Sequence, residues 1–161
     1  MIVISDTSVV SNLIVIGQLD LLKVLFRNIV VPTAVHHELM ALRAFEVDLS
    51  PYLSADWVAV MSPTDVALVK SLKESLDQGE SKAIVLAQEH RNSLLAIDEK
   101  AGRKIAQYMG IDIIGLVGIL IRAKETGAIT AIKPLLDQVI QQAGFYLSPR
   151  FYQQILSDHG E

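Results

Sequence analysis

Ile2-Val3-Ile4-Ser5-Asp6-Thr7-Ser8 is an apolar, β-branched run that ends on a carboxylate. Without polar alternation it reads as a strand covered on both faces, the kind a parallel α/β sheet places at its centre. Asp6 then stands at the carboxyl end of a central strand, where open α/β sheets put their ligands. Asp is equally a common N-cap, and a helix starting near Ser8 would give Asp6 that structural role instead. From this residue alone the two roles are not separable.

Four further runs have strand character: Asn28–Val31, Trp57–Met61, Leu94–Ile97 and Asp112–Ile114. Helical spacing fills the intervals. It runs from Leu13 to Leu25, from Pro32 at a first turn to Leu42, and from Pro63-Thr64-Asp65 to about Leu72. It resumes from Asp77 onward and from Lys100 to Met109 before Gly110. Three helices follow the last strand: Leu116–Thr126, Lys133–Ala143 before Gly144, and Pro149–Leu156 behind a Ser148 cap. Alternating strands and helices predict an α/β fold with a parallel sheet. Residues 1–161 read as one domain, the helices within 130–157 packing on it or extending it, and 44–55 are the least regular stretch.

A chain of 161 residues buries about two-thirds of its unfolded surface without disulfides or structural metal. It has no cysteine, which suits a reducing, cytoplasmic setting, and no signal-peptide pattern is evident. The longest apolar run, Ile113–Ile121, spans nine residues, whereas a membrane helix needs about 20, so no membrane association is expected. A hydrophobic fraction of 51% leaves apolar surface for a partner or a second copy to cover, and a homodimer or higher homo-oligomer is expected. A net charge of −4 argues against a broad basic face for nucleic acid, but not against an acidic pocket that handles phosphates through a cation.

In a parallel sheet, strand ends and crossover-helix starts share one edge. That edge collects Asp6, Asp98 after the fourth strand, Glu38 a turn into the helix after Val31, and Glu80 in the first turn after Asp77. Each has an ordinary explanation: Asp98 as N-cap of the Lys100–Met109 helix, Asp77 and Glu80 as a capping box, Glu38 as a solvated residue. Yet Glu80 shares its face with Leu76, Ala83, Ile84 and Ala87, and Glu38 with Ala34, Ala41, Leu42 and Phe45. Acids on inward faces are unusual unless paired or metal-bound. Two like charges 4 Å apart repel by about 4 kcal/mol at an effective dielectric near 20. Oxygen-only ligands select hard ions, so the set points to Mg²⁺ or Mn²⁺.

These residues, with Val31-Pro32 through Leu39, Leu76-Asp77-Gln78-Gly79-Glu80-Ser81-Lys82-Ala83-Ile84, Leu94-Leu95-Ala96-Ile97-Asp98-Glu99, Gly102-Arg103, Gly115–Leu120 and Gly144–Pro149, resemble the PIN-domain superfamily of metal-dependent nucleases, closest to its VapC-like branch. The likeness runs in order along nearly the whole chain. It implies a three-layer α/β/α fold with five parallel strands in order 3-2-1-4-5. It places Asp6, Glu38, Glu80 and Asp98 as catalytic and metal-binding acids, with Thr7 or Ser8 as the hydroxyl beside the first. Many relatives carry Asp where Glu80 stands, and Glu99 beside Asp98 leaves open which of the two faces the pocket.

The implied activity is RNA hydrolysis with 5′-phosphate and 3′-hydroxyl products, as in the toxin half of a toxin–antitoxin pair with a small antitoxin partner. The other expectation is a catalytically degenerate module that acts through protein or RNA binding. Lys100, Arg103 and Lys104, three and four residues apart, are either an RNA contact or a solvated face. Phe145, Tyr146, Phe151 and Tyr152, four of the nine aromatics, either pack the last helix or form a contact surface.

Other chemistries fit less well. Gly79-Glu80-Ser81-Lys82-Ala83 lacks both the preceding strand and the final glycine of a nucleophile elbow. Ser8 replaces the second Asp of a D-x-D phosphotransfer site, and no phosphate-binding G-x-x-x-x-G-K-[ST] loop occurs. His36 and His37 are adjacent, point to different helix faces and make a poor metal pair.

Overall fold

The computed structural model describes residues 1–161. Five parallel strands, β1 (Ile2–Ser5), β2 (Ile29–Pro32), β3 (Val58–Met61), β4 (Ser93–Ala96) and β5 (Asp112–Ile114), form one sheet in the order β3-β2-β1-β4-β5. The expected order 3-2-1-4-5 is therefore present. The central strands alternate between two cores. Val3, Ile29, Val31, Leu94 and Ala96 enter a cluster of 28 buried residues, while Ile4, Leu95 and Ile97 enter one of 10 on the opposite face. This two-sided burial is why the first strand is apolar from Ile2 to Ile4, without polar alternation.

The larger core is closed by α1 (Thr7–Val15), α2 (Asp20–Phe26), α3 (Thr33–Ala41), α8 (Leu116–Glu125), α9 (Lys133–Ala143) and α10 (Pro149–Asp158). The smaller one is closed by α6 (Gln78–Glu89), which brings Ala83, Ile84, Leu86 and Ala87, and by α7 (Lys100–Tyr108), which brings Ala106. Two short elements, a 3₁₀ turn (Leu42–Phe45) and α4 (Ser50–Leu53), occupy the irregular stretch, and α5 (Val66–Leu72) precedes α6. No helix is long and apolar enough to cross a membrane.

One local expectation shifts. Pro32 closes β2 rather than opening the next helix, because its ψ of 150° is extended and it still pairs with Met61. Strand β3 lies at the sheet edge, and its Ala59, Val60 and Met61 are exposed.

The C-terminal helices join the larger core through Leu135, Leu136, Val139, Ile155 and Leu156. Glu161 ties them down: its carboxylate accepts bonds from the Ile132 and Lys133 amides at 2.8 and 2.9 Å and from Lys124 Nζ at 2.8 Å. Desolvation alone would raise this carboxyl, but those three donors outweigh it and hold it at about 2. A depressed carboxyl contributes stability above its unfolded pKa, here 4.5, and loses it as pH falls toward 2. Glu161→Gln is expected to cost about 1–2 kcal/mol at pH 7. Urea denaturation should show that difference shrinking at pH 3.

Candidate metal centre

The carboxyl edge of the sheet gathers the acids. Asp6 follows β1 directly, and its amide donates to Ala96 O of β4 at 2.9 Å. It occupies the N-cap position of α1, yet its side chain makes no capping bond. Only 4% of it is exposed. Desolvation pushes its carboxyl up to about 7; the Thr7 amide partly counters this, while Glu80, Asp77 and Glu38 push it further.

Glu80 stands in the first turn of α6 and is 7% exposed. Asp77 caps that helix, its Oδ1 accepting the Glu80 amide at 2.8 Å. The return half of the expected capping box forms no hydrogen bond. Desolvation, then the charges of Asp77 and Glu99, carry the Glu80 carboxyl to about 7, and the Asp77 amide only trims that rise.

Glu38 reaches the edge from α3. The Thr7 hydroxyl donates to its Oε2, so of the two hydroxyls beside Asp6, Thr7 is the one that orients an acid. Ser8 Oγ is buried without a partner. Gly79 explains how α6 comes so close: a Cβ there would lie 2.7 Å from Glu38 Oε1. Thr7→Val leaves Glu38 unanchored. Outer groups that orient metal ligands carry about 10–100-fold in affinity or activity, and a loss in that range is expected in Mn²⁺ titration calorimetry.

Asp98 lies at the same edge but turns aside. The sequence allowed it as cap of α7, yet Glu99 holds that position without a capping bond. Asp98 Oδ1 instead accepts the Leu116 amide at the start of α8, at 3.0 Å. Its other oxygen, Oδ2, is buried without a partner. Desolvation raises its carboxyl, the Leu116 amide and Arg103 lower it, and Glu99 raises it. Glu99 is the neighbour whose charge acts on Glu80. Arg103 donates to Ile97 O at 2.9 Å, so this cation is partly engaged with the backbone. Both groups crowd Gly115, where a Cβ would stand 2.7 Å from Asp98 Oδ1 and 2.8 Å from Arg103 Nη1.

The DUF3368 family of PIN domains matches residues 2–161. The chain belongs to the PIN-domain family. The expected fold class is borne out as well: the chain is similar to a solved PilT N-terminus domain protein from the hyperthermophilic archaeon Sulfolobus solfataricus P2, at 22% identity and a TM-score of 0.52, over 75% of this chain and 92% of that one. No curated protein matches it. PIN domains are generally nucleases and typically bind divalent metals.

The donors of this PIN domain suit a hard divalent cation. They are oxygen-only, none of the six acids Asp6, Glu38, Asp77, Glu80, Asp98 and Glu99 forms a salt bridge, and Asp98 Oδ2 is a buried acceptor with no donor. The side chains do not yet converge, since no three His, Asp or Glu groups surround one point at ligand distance. Rotation of long or half-free side chains, Glu80 and Asp98 above all, is needed to complete a ligand set. Asp77 and Glu99 were legible only as a cap and a supporting acid, although their charges act directly on Asp6 and Glu80. His36, bonded to Tyr52 at 2.7 Å, takes no part.

Proposed function

We propose that this PIN domain is a metal-dependent endoribonuclease, the toxin half of a pair with a small antitoxin protein. The observation that carries the nuclease reading is the Asp6–Glu80 pair: two buried acids at the carboxyl edge, each raised to about 7, with no cationic side chain to neutralise them. Asp6, Glu80 and Asp98 would hold one Mg²⁺ or Mn²⁺, with Glu38 helping to hold it or a second. When bound, such an ion neutralises phosphate charge and acidifies a coordinated water.

The chain's own residues supply the setting. Burial of Asp6 and Glu80 keeps bulk water from screening their charge. Thr7 fixes the direction of Glu38, and the Leu116 amide engages one oxygen of Asp98 while the other is left buried without a partner. Cleavage of an RNA panel with Mn²⁺, abolished by EDTA, is the expected result; intact RNA in both conditions would refute the reading. A short neighbouring reading frame whose product binds this chain would support the antitoxin partner.

A second reading, a module that binds without cleaving, draws on the spread of the carboxylates and the engagement of Asp98 by Leu116. Calorimetry separates the two, because no heat of binding at millimolar Mn²⁺ favours the module.

A further inference from the structure

Three glycines lie inside helices: Gly79 in α6, Gly102 in α7 and Gly118 in α8. None has a positive φ, so the backbone does not demand glycine there, and alanine is the better helix former. Each is explained by space instead. At Gly102 and Gly118 the first atom that an added Cβ meets belongs to an isoleucine, Ile97 or Ile114. At Gly79 it meets a carboxylate, with Glu38 Oε1 at 2.7 Å, Oε2 at 2.9 Å and Cδ at 3.1 Å.

Glu38 is thus laid over a buried glycine in the first turn of α6, and the Thr7 hydroxyl holds it from the other side. That turn suits a carboxylate, because its N–H groups lack partners within the helix and the helix dipole favours negative charge. Neither backbone can back away. Val35 and Leu39 fix α3 in the larger core, and Ala83 and Ile84 fix α6 in the smaller one. A methyl group at position 79 therefore displaces the free end of Glu38 and leaves the helices where they are. Thr7 follows Asp6 and Gly79 precedes Glu80, so one side chain lodged between them spans the two buried acids.

We infer that Gly79 is a positioning residue of the metal centre, its missing side chain forming the seat that holds the Glu38 carboxylate at the carboxyl edge together with Thr7. The inference rests on the metal-dependent nuclease reading above and adds what sets the place of its fourth acid.

The test is a cycle of Gly79→Ala, Glu38→Ala and the double variant, read by melting temperature in EDTA and by Mn²⁺ titration calorimetry. Neither residue belongs to a hydrophobic core, so the variants keep the fold. With Glu38 truncated, Gly79→Ala enters free space and raises the melting temperature by about 1–4 °C, the gain of alanine over glycine in a helix. With Glu38 present that rise is lost. In calorimetry Gly79→Ala alone weakens Mn²⁺ binding about tenfold, as loss of an orienting group does, yet adds nothing to the loss caused by Glu38→Ala. This non-additivity separates a seat for Glu38 from a general effect on α6. An equal rise in melting temperature in both backgrounds overturns the seat, and so does undiminished Mn²⁺ affinity in the Gly79→Ala protein. Coupling in both measurements without cleavage of RNA would refute the nuclease reading alone; Mn²⁺-dependent cleavage indifferent to Gly79→Ala would refute the seat alone.

Discussion

Asp6→Asn lowers Mn²⁺-dependent RNA cleavage by more than about 100-fold, because even the groups that merely orient metal ligands carry 10–100-fold. The same substitution raises the melting temperature of the metal-free protein at pH 8. Both effects have one cause. Asp6 is almost wholly buried, its capping position goes unused, and Glu80, Asp77 and Glu38 all push its charge in the unfavourable direction. A neutral amide of the same shape relieves that repulsion. It keeps an acceptor for the Thr7 N–H while removing a charged ligand. Stability gained as activity is lost marks a residue held in place for function. At about 2–4 °C per kcal/mol for a chain of this size, a gain of one or two kcal/mol is readable by calorimetric scanning. Retained cleavage, or a lower melting temperature, would count against a central role for Asp6.

The parts of this reading that were legible in the sequence are those set by short-range pattern. Ile2–Ile4 is apolar at every position because the strand is covered on both faces, and that run with the spacing of Asp6, Glu38, Glu80 and Asp98 placed the acids on one edge. What sequence left open is decided by contacts between distant segments. Asp98 looked like a cap for the helix just after it, but its acceptor serves Leu116, 18 residues on. Asp6 was indistinguishable from a cap until its side chain was seen to make no capping bond. The aromatics divide the same way. Tyr152 donates to Asp137 at 2.5 Å and packs, whereas Tyr146 stays in solvent, which no local pattern distinguishes. Gly115 is small because Asp98 and Arg103 both approach it, from two other elements.

Raising the pH from 5 to 8 is expected to destabilise the metal-free protein, and Mn²⁺ is expected to reverse about half of that loss. In the unfolded chain the Asp6 and Glu80 carboxyls ionise near 3.8 and 4.5; in the folded chain both keep their protons to about 7. Between those limits the native state binds more protons than the unfolded one, so stability falls as pH rises. The contribution is fully present below about pH 4 and is lost as pH passes through 7. Glu161, whose folded carboxyl is depressed to about 2, acts oppositely but only below 4.5, outside this window. At about 1.4 kcal/mol for each tenfold change in proton affinity, the part of this contribution lost between pH 5 and 8 is on the order of 5 kcal/mol. The melting temperature should then fall by roughly 10–20 °C between pH 5 and 8 in EDTA. A divalent ion takes the place of those protons and binds only the folded arrangement, adding about 2.7 kcal/mol when present at 100 times its Kd. Its effect is therefore large at pH 8 and small at pH 5, where protons compete for the same oxygens. Asp6→Asn and Glu80→Gln should each flatten the pH profile and shrink the response to Mn²⁺. A melting temperature in EDTA that is level or rises from pH 5 to 8 would mean that the two carboxyls do not share the edge in the manner described, and a response to Mn²⁺ that is larger at pH 5 than at pH 8 would place the ion elsewhere.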